Sequence, residues 1–164
     1  MGIGTLAAFL MIPAFGQGRR AHAELKSAGG AITVDYGQPA LKGRDMLSQL
    51  TEGSFWRMGM NESTVLTTPV ALMFGNTHVA KGTYSLWLEK TGGDKYQLVF
   101  NSETGQWGTQ HDPGKDVQKV PLKKEALSSP VELYTINLKE APKGGIFQME
   151  WGTTKLSAEF TFMK

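Results

Sequence analysis

Thr83-Tyr84-Ser85-Leu86-Trp87-Leu88-Glu89, followed after Gly92-Gly93-Asp94 by Lys95-Tyr96-Gln97-Leu98-Val99-Phe100-Asn101, decides the fold class. Each stretch alternates with a period of two. Tyr84, Leu86 and Leu88 share one face, and Tyr96, Leu98 and Phe100 share another. Glycines between them tolerate the positive φ of a tight turn. Such alternation is the mark of half-buried antiparallel strands. The pattern continues outward. Phe147, Met149 and Trp151 share a face, with Gln148 and Glu150 opposite. Lys155 to Phe162 turns Leu156, Ala158, Phe160 and Phe162 inward and Lys155, Ser157, Glu159 and Thr161 outward. Further strands are expected at 54–58, 64–68, 70–74, 117–122 and 131–138. Gly75-Asn76 reads as the turn of a hairpin from 70–74 to 77–79. Ala21–Lys26 is expected to pair with Ala31–Tyr36 across Gly29-Gly30. Two short helical turns are expected, at Asp45–Leu50 and Lys123–Leu127. About ten strands with so little helix imply an all-β, antiparallel, two-sheet β-sandwich, a jelly roll being one topology it admits. Tyr84, Leu86, Leu88, Leu98, Phe100, Phe160 and Phe162 are assigned to one core between the sheets.

The 164 residues suffice for a single domain with a real core. A hydrophobic content of 40% and a charged content of 20% are ordinary for a folded chain. The first sixteen residues stand apart. Ile3 to Phe15 is apolar and uncharged, too short to span a bilayer, for which about 20 residues are needed. It has the length of a signal-peptide core, and Ala14-Phe15-Gly16 offers a small-x-small cleavage site. A second such site, Ala21-His22-Ala23, would cut into the expected first strand. The organisation is therefore a leader at 1–16 and one domain at 17–164, exported to the periplasm or beyond, with no stable membrane span once the leader is removed. No basic residue precedes the apolar run, and Arg19 and Arg20 follow it. The chain has no cysteine, which excludes disulfides, thiolate metal sites and cysteine nucleophiles. Seventeen bases and 15 acids are interspersed, for a net charge of +2 with no basic stripe, so nucleic acid is not the expected partner.

Trp56-Arg57-Met58-Gly59-Met60-Asn61-Glu62 is the richest stretch in chemistry. It admits two readings. In one, Trp56 is a stacking platform, Arg57 a donor to an anion or hydroxyl, and Asn61 and Glu62 complete a polar-ligand site. In the other, Arg57 and Glu62 pair across the bend at Gly59 and lock the fold, with Trp56 in the core. Lys42 and Arg44, flanking Gly43, could present two cations to an anionic group, or serve as a solvated connector. They do not follow the phosphate-loop pattern. Trp107, in a long loop running to Asp116, suits a sugar platform or a lid over the core.

Lys42-Gly43-Arg44-Asp45-Met46-Leu47, Trp56-Arg57-x-Gly59-x-Asn61-Glu62, Ala80-Lys81-Gly82-Thr83-Tyr84-Ser85-Leu86 and Gln106-Trp107-Gly108 together resemble the motifs of the bacterial DUF2911 family. That family is a domain of unknown function found in exported proteins. The likeness runs from roughly Ala21 to Phe162. The resemblance implies export and supplies no reaction. One departure is visible: the family often reads Gly-Ala-Asn-Glu where this chain has Gly59-Met60-Asn61-Glu62. The bulkier Met60 would narrow whatever space the alanine leaves.

His22, His78 and His111 lie far apart in sequence and form no metal-ligand spacing, so neither a metal nor a cofactor is expected. No Gly-x-Ser-x-Gly elbow occurs. Glu62, Asp112 and Asp116 are the carboxylates from which a glycosidase-like pair would be drawn. Two functional classes remain. The first is a non-catalytic module that binds a small polar or carbohydrate ligand or a protein partner through Trp56, Arg57, Asn61, Glu62, Lys42, Arg44 and Trp107. The alternative is a hydrolase-like enzyme with Glu62 as acid or base and Arg57 as electrostatic stabiliser. Oligomeric state is not legible.

Overall fold

A computed structural model describes residues 19–163; the leader and the expected start near Gln17 lie outside them. Ten strands follow one another: β1 (Arg20–Ser27), β2 (Gly30–Gly37), β3 (Phe55–Trp56), β4 (Thr64–Thr68), β5 (Leu72–Phe74), β6 (Thr77–Val79), β7 (Gly82–Gly92), β8 (Lys95–Asn101), β9 (Asp116–Ala141) and β10 (Gly144–Phe162). All pairings are antiparallel. The hydrogen bonds join them into one ten-stranded sheet in the order β1-β2-β4-β7-β8-β9-β10-β5-β6, with β3 appended to β7. The sequence reading expected two separate sheets.

Two long strands make a single sheet possible. The first part of β9 pairs with β8 from Asp116 to Leu122, and the rest of it pairs with β10. Near Gly152 the β9–β10 register breaks: Gly152 faces Val131 and Thr154 faces Ala126. Residues 127–130 of β9 thus stand opposite Thr153 alone. A bulge of this kind bends a strand and sharpens its twist. The bend carries the 142–145 turn back onto the end of β10, where Phe162 N–H donates to Lys143 O at 2.9 Å. Gly144 presses there against the main chain of Phe160 and Thr161, and a Cβ would collide with the Phe160 carbonyl. On the far side, Leu41 N–H donates to Glu132 O and Tyr134 N–H to Pro39 O, strapping the loop after β2 across β9.

The wrapped sheet encloses one core. Leu86, Leu88, Leu98, Phe100 and Phe160 are buried in it, and Tyr84 and Phe162 pack against it partly buried. The β1–β2 register is Ala21 with Tyr36 through Lys26 with Ala31, and Phe74 faces Thr77 across Gly75-Asn76, both as the sequence implies. Both faces of β7 and β8 are covered, however. Trp87 and Val99, opposite the core, are also buried, at 1% and 0% exposure.

Neither helical expectation holds. Lys123–Leu127 is strand: Lys123 pairs with Ser157 and Glu125 with Lys155 in β10. There the Glu125 carboxylate bridges Lys123 and Lys155 at 3.0 and 3.1 Å. Asp45–Leu50 is a capped turn, with Ser48 N–H on Asp45 Oδ1 and Leu50 N–H on Leu47 O. The helical piece among the described residues is a 3-10 turn, Pro113–Lys115, which the sequence reading took as loop.

Candidate functional site

The motif residues from 56 to 62 do not converge on one point; the backbone deals them to three layers. β3 is two residues long and pairs with Leu88 and Glu89 of β7. Trp56 therefore points to the core side, where its indole stacks on Trp151 (5.4 Å between centroids, 13° between planes) and meets Tyr134 edge-on at 5.0 Å. Tyr36 closes the cluster against Tyr134. Burial holds the Tyr134 phenol well above its usual range. Trp56 is thus partly buried in the aromatic packing against the core. Phe55 points the other way and stacks on His111 at 4.1 Å, with Lys119 Nζ 5.4 Å from its ring centroid.

After β3 the chain leaves extended geometry. Met58 is fully buried with φ of 53°, and its carbonyl accepts the Thr64 hydroxyl at 2.8 Å. Asn61 takes φ of 62°, a conformation asparagine adopts more readily than most residues. Between these two residues the chain passes close to Gly37 of β2, where the Met60 backbone and side chain lie.

The segment 61–63 then meets 106–108. Ser63 N–H donates to Gln106 O at 3.1 Å and Gly108 N–H to Asn61 O at 2.8 Å, flanking an antiparallel bridge of Glu62 with Trp107. Because the bonds flank the pair, Glu62 and Trp107 form the close type of cross-strand pair, with Cα atoms about 4.5 Å apart and side chains on one face. That face is solvent: Glu62 is exposed, and Trp107 is 49% exposed. On the inner face, Gln106 is buried and fully engaged. It accepts from Ser63 Oγ (3.2 Å) and donates to Ser85 Oγ (3.1 Å) and Glu103 O (3.1 Å). Trp87 Nε1 donates to the same Ser85 hydroxyl at 2.9 Å. This buried network joins the motifs at 80–86 and 106–108 to Ser63, the residue after the motif at 56–62.

Arg57 also lies on the inner side. Its stem runs beneath Gly108, where a Cβ would collide with Arg57 Cδ and stand 2.7 Å from Asn61 O. Its Nε is buried without a hydrogen-bond partner. The expected Arg57–Glu62 pair is not formed: among the described residues no ion pair joins them, since Glu62 turns out and Arg57 turns under. Lys42 and Arg44 are exposed in a tight turn closed by Arg44 N–H on Leu41 O. The Lys42 amide, not its ammonium, bonds the Glu132 carboxylate at 2.9 Å. Arg44 has no ion-pair partner among the described residues. The turn reaches the aromatic cluster only indirectly, through Glu132 O, which also accepts from Trp151 Nε1 at 3.1 Å.

The sequence reading missed one constellation. His111 Nε2 is 2.8 Å from Asp116 Oδ1, both side chains being about one-tenth exposed, and the imidazole lies between Phe55 and Trp87. Asn101 Nδ2 donates to the same Asp116 oxygen and to Asp112 O, while Asn101 Oδ1 accepts from Glu103 N–H. The signal was present: a His and an Asp five apart across Asp112-Pro113-Gly114, a turn that brings them face to face. This network anchors the loop that carries Trp107. Asp112 takes another role, capping the 3-10 turn by accepting from Gly114 N–H. Two surface grooves lie elsewhere. One of about 670 Å³ is lined by Val120, Lys123, Glu125, Gln148 and Lys155, and another of about 650 Å³ by Gly29, Val70, Phe162 and Met163. No group of three or more metal-ligating side chains occurs among the described residues, and no helix there is long and apolar enough to cross a membrane.

An all-β antiparallel protein with a motif-built pair of braced loops is the class these features define. The chain belongs to the family described as protein of unknown function DUF2911, whose model matches residues 19–160. Comparison with curated proteins and with solved structures gives no match.

Proposed function

We propose that this is an exported, non-catalytic binding module whose ligand contacts the Glu62–Trp107 pair. The observation that carries the reading is an indole 49% exposed beside an exposed carboxylate, on loops braced from within by the Ser63–Gln106–Ser85 hydrogen bonds. Large aromatic side chains left in water on rigid supports are a common feature of recognition surfaces. An indole face offers apolar contact to the ring of a sugar, and a carboxylate beside it accepts from hydroxyls. The ligand class this favours is a small polar or carbohydrate-like molecule. Lys42 and Arg44, on a separate exposed turn, would touch only a ligand or protein partner large enough to reach both.

The hydrolase reading is weaker. Glu62 is exposed and, among the described residues, forms no ion pair with Arg57, whereas general acid–base work draws on a held substrate and a positioned carboxyl. Export rests on the apolar run Ile3–Phe15, which has the length of a signal-peptide core and would send the protein to the periplasm or outside the cell. The bent β9 and β10, which let two stretches of one strand face each other, favour a sandwich-like arrangement of the sheet.

The test is a titration of the folded protein with a panel of neutral oligosaccharides, read by tryptophan fluorescence and by the backbone amides of 61–63 and 106–108. A ligand that shifts these amides, and whose binding is lost in Trp107→Ala and weakened in Glu62→Gln, supports the reading. A panel that leaves both loops unmoved removes the carbohydrate class. Turnover of a glycoside that Glu62→Gln abolishes would restore the enzyme.

A further inference from the structure

Arg57 has no use in the platform just described, because it lies on the opposite face of the loop pair. We infer that it is an anion-binding residue, its guanidinium taking the carboxylate or phosphate group of a ligand.

Three observations carry this. First, the Arg57 Nε is buried and makes no hydrogen bond, and among the described residues no carboxylate forms an ion pair with the guanidinium. Buried polar groups are nearly always satisfied, and a charged donor left without an acceptor is an exception that asks for a cause. Second, two acids on the Phe55 side are already taken. Asp116 accepts from His111 and Asn101, and Glu89 is 2.9 Å from Lys119 Nζ. Both His111 and Lys119 flank Phe55, two residues before Arg57. Third, the stem is held in a slot that the fold keeps open. Only a residue without a side chain at 108 leaves room for Arg57 Cδ beside the Asn61 carbonyl. A long side chain so confined has already lost much of its rotamer freedom, which lowers the cost of binding. The planar fork of a guanidinium matches two oxygens of a carboxylate or phosphate and gains from the partial exclusion of water.

The rival explanation is that Arg57 is a spacer, kept for the packing of its methylenes. The two differ in their response to anions. In the protein labelled with nitrogen-15, the Arg57 Nε–H resonance can be followed directly during titration with sodium acetate, inorganic phosphate and sodium chloride at matched ionic strength. A saturable shift with acetate alone assigns a carboxylate ligand. One with phosphate alone assigns a phosphate-type ligand, and one with both assigns an oxyanion site of broad choice. Chloride should move the resonance little. The melting temperature should rise with the same anion, and Arg57→Met, which keeps the stem, should abolish that rise. A resonance unmoved by acetate and phosphate, or moved equally by chloride, overturns the inference. Trp107→Ala should leave the Arg57 response intact, so failure of the platform and failure of the anion site are separately visible.

Discussion

Replacing Gly108 by alanine tests how the two motif loops are held. The added Cβ would meet Arg57 Cδ, the Asn61 carbonyl oxygen at 2.7 Å and Arg57 Cβ at 3.0 Å. These contacts differ in kind. Arg57 Cδ belongs to a flexible side chain and can swing away. The Asn61 oxygen is main chain and accepts the Gly108 N–H at 2.8 Å, so it cannot retreat without stretching that bond. Overpacking of this sort costs about 1–3 kcal/mol. Loss of the hydrogen bond adds about 1 kcal/mol. Gly108→Ala is therefore expected to destabilise by about 2–4 kcal/mol in urea denaturation, with faster exchange of the amides at 63 and 108. In an Arg57→Ala background the same change should cost roughly 1 kcal/mol less, because one clash is gone and the main-chain clash stays. A loss below about 0.5 kcal/mol with both amides still protected would refute the argument.

Three further outcomes are expected. Phe100→Ala, at a fully buried site between Phe74 and Tyr84, should cost about 3–5 kcal/mol in a denaturant melt, and less than about 1 kcal/mol would contradict its place in the core. Gln106→Ala leaves the Ser63 hydroxyl without its acceptor while Ser85 keeps its bond from Trp87, so about 1–3 kcal/mol should be lost, part of it recovered by adding Ser63→Ala. The His22 pKa is raised above its ordinary 6.5, first by the hydrogen bond to Asp35 and then by Glu24. The small stabilisation from this pair is complete below pH 6.5 and lost as pH rises through the folded-state value. Asp35→Asn should lower the His22 midpoint in an NMR titration, and an unchanged midpoint would rule the contact out.

The hairpins were legible because their determinants are local. Glycine at 29–30 and Gly75-Asn76 set the turns, and alternation on either side set the register. The 26 residues of β9 were not legible as one strand. Lys123-Lys124-Glu125-Ala126-Leu127 is rich in helix formers, yet tertiary pairing overrides so weak a preference. Here Glu125 bridges Lys123 and Lys155, and Leu122 lies in the core. Alternation also cannot tell two sheets from one, since a strand that bends at Gly152 serves both sides with an unbroken pattern. The site failed to read for a related reason. Spacing along the chain predicts facing only where φ stays extended, and Met58 and Asn61 do not. Their left-handed turns are imposed from outside the stretch, by the Thr64 hydroxyl and the nearby backbone of Gly37.

That break in spacing also separates residues that hold from residues that can touch. Ser85 and Gln106 come from two motifs and Ser63 directly follows a third; they spend their polar atoms on one another, so their chemistry is structural. Trp56 spends its ring on Trp151 and Tyr134. Glu62, Trp107 and Arg57 keep binding capacity unspent, on two faces of the same braced loops. If recognition were spread over the whole surface, the buried network would be an over-built support for nothing in particular. If it sits at the loops, loosening the network should weaken ligand binding before it weakens the fold. Gln106→Ala is the variant in which the two losses can be compared. A ligand affinity that falls in step with global stability, and no earlier, would count against a loop-borne site.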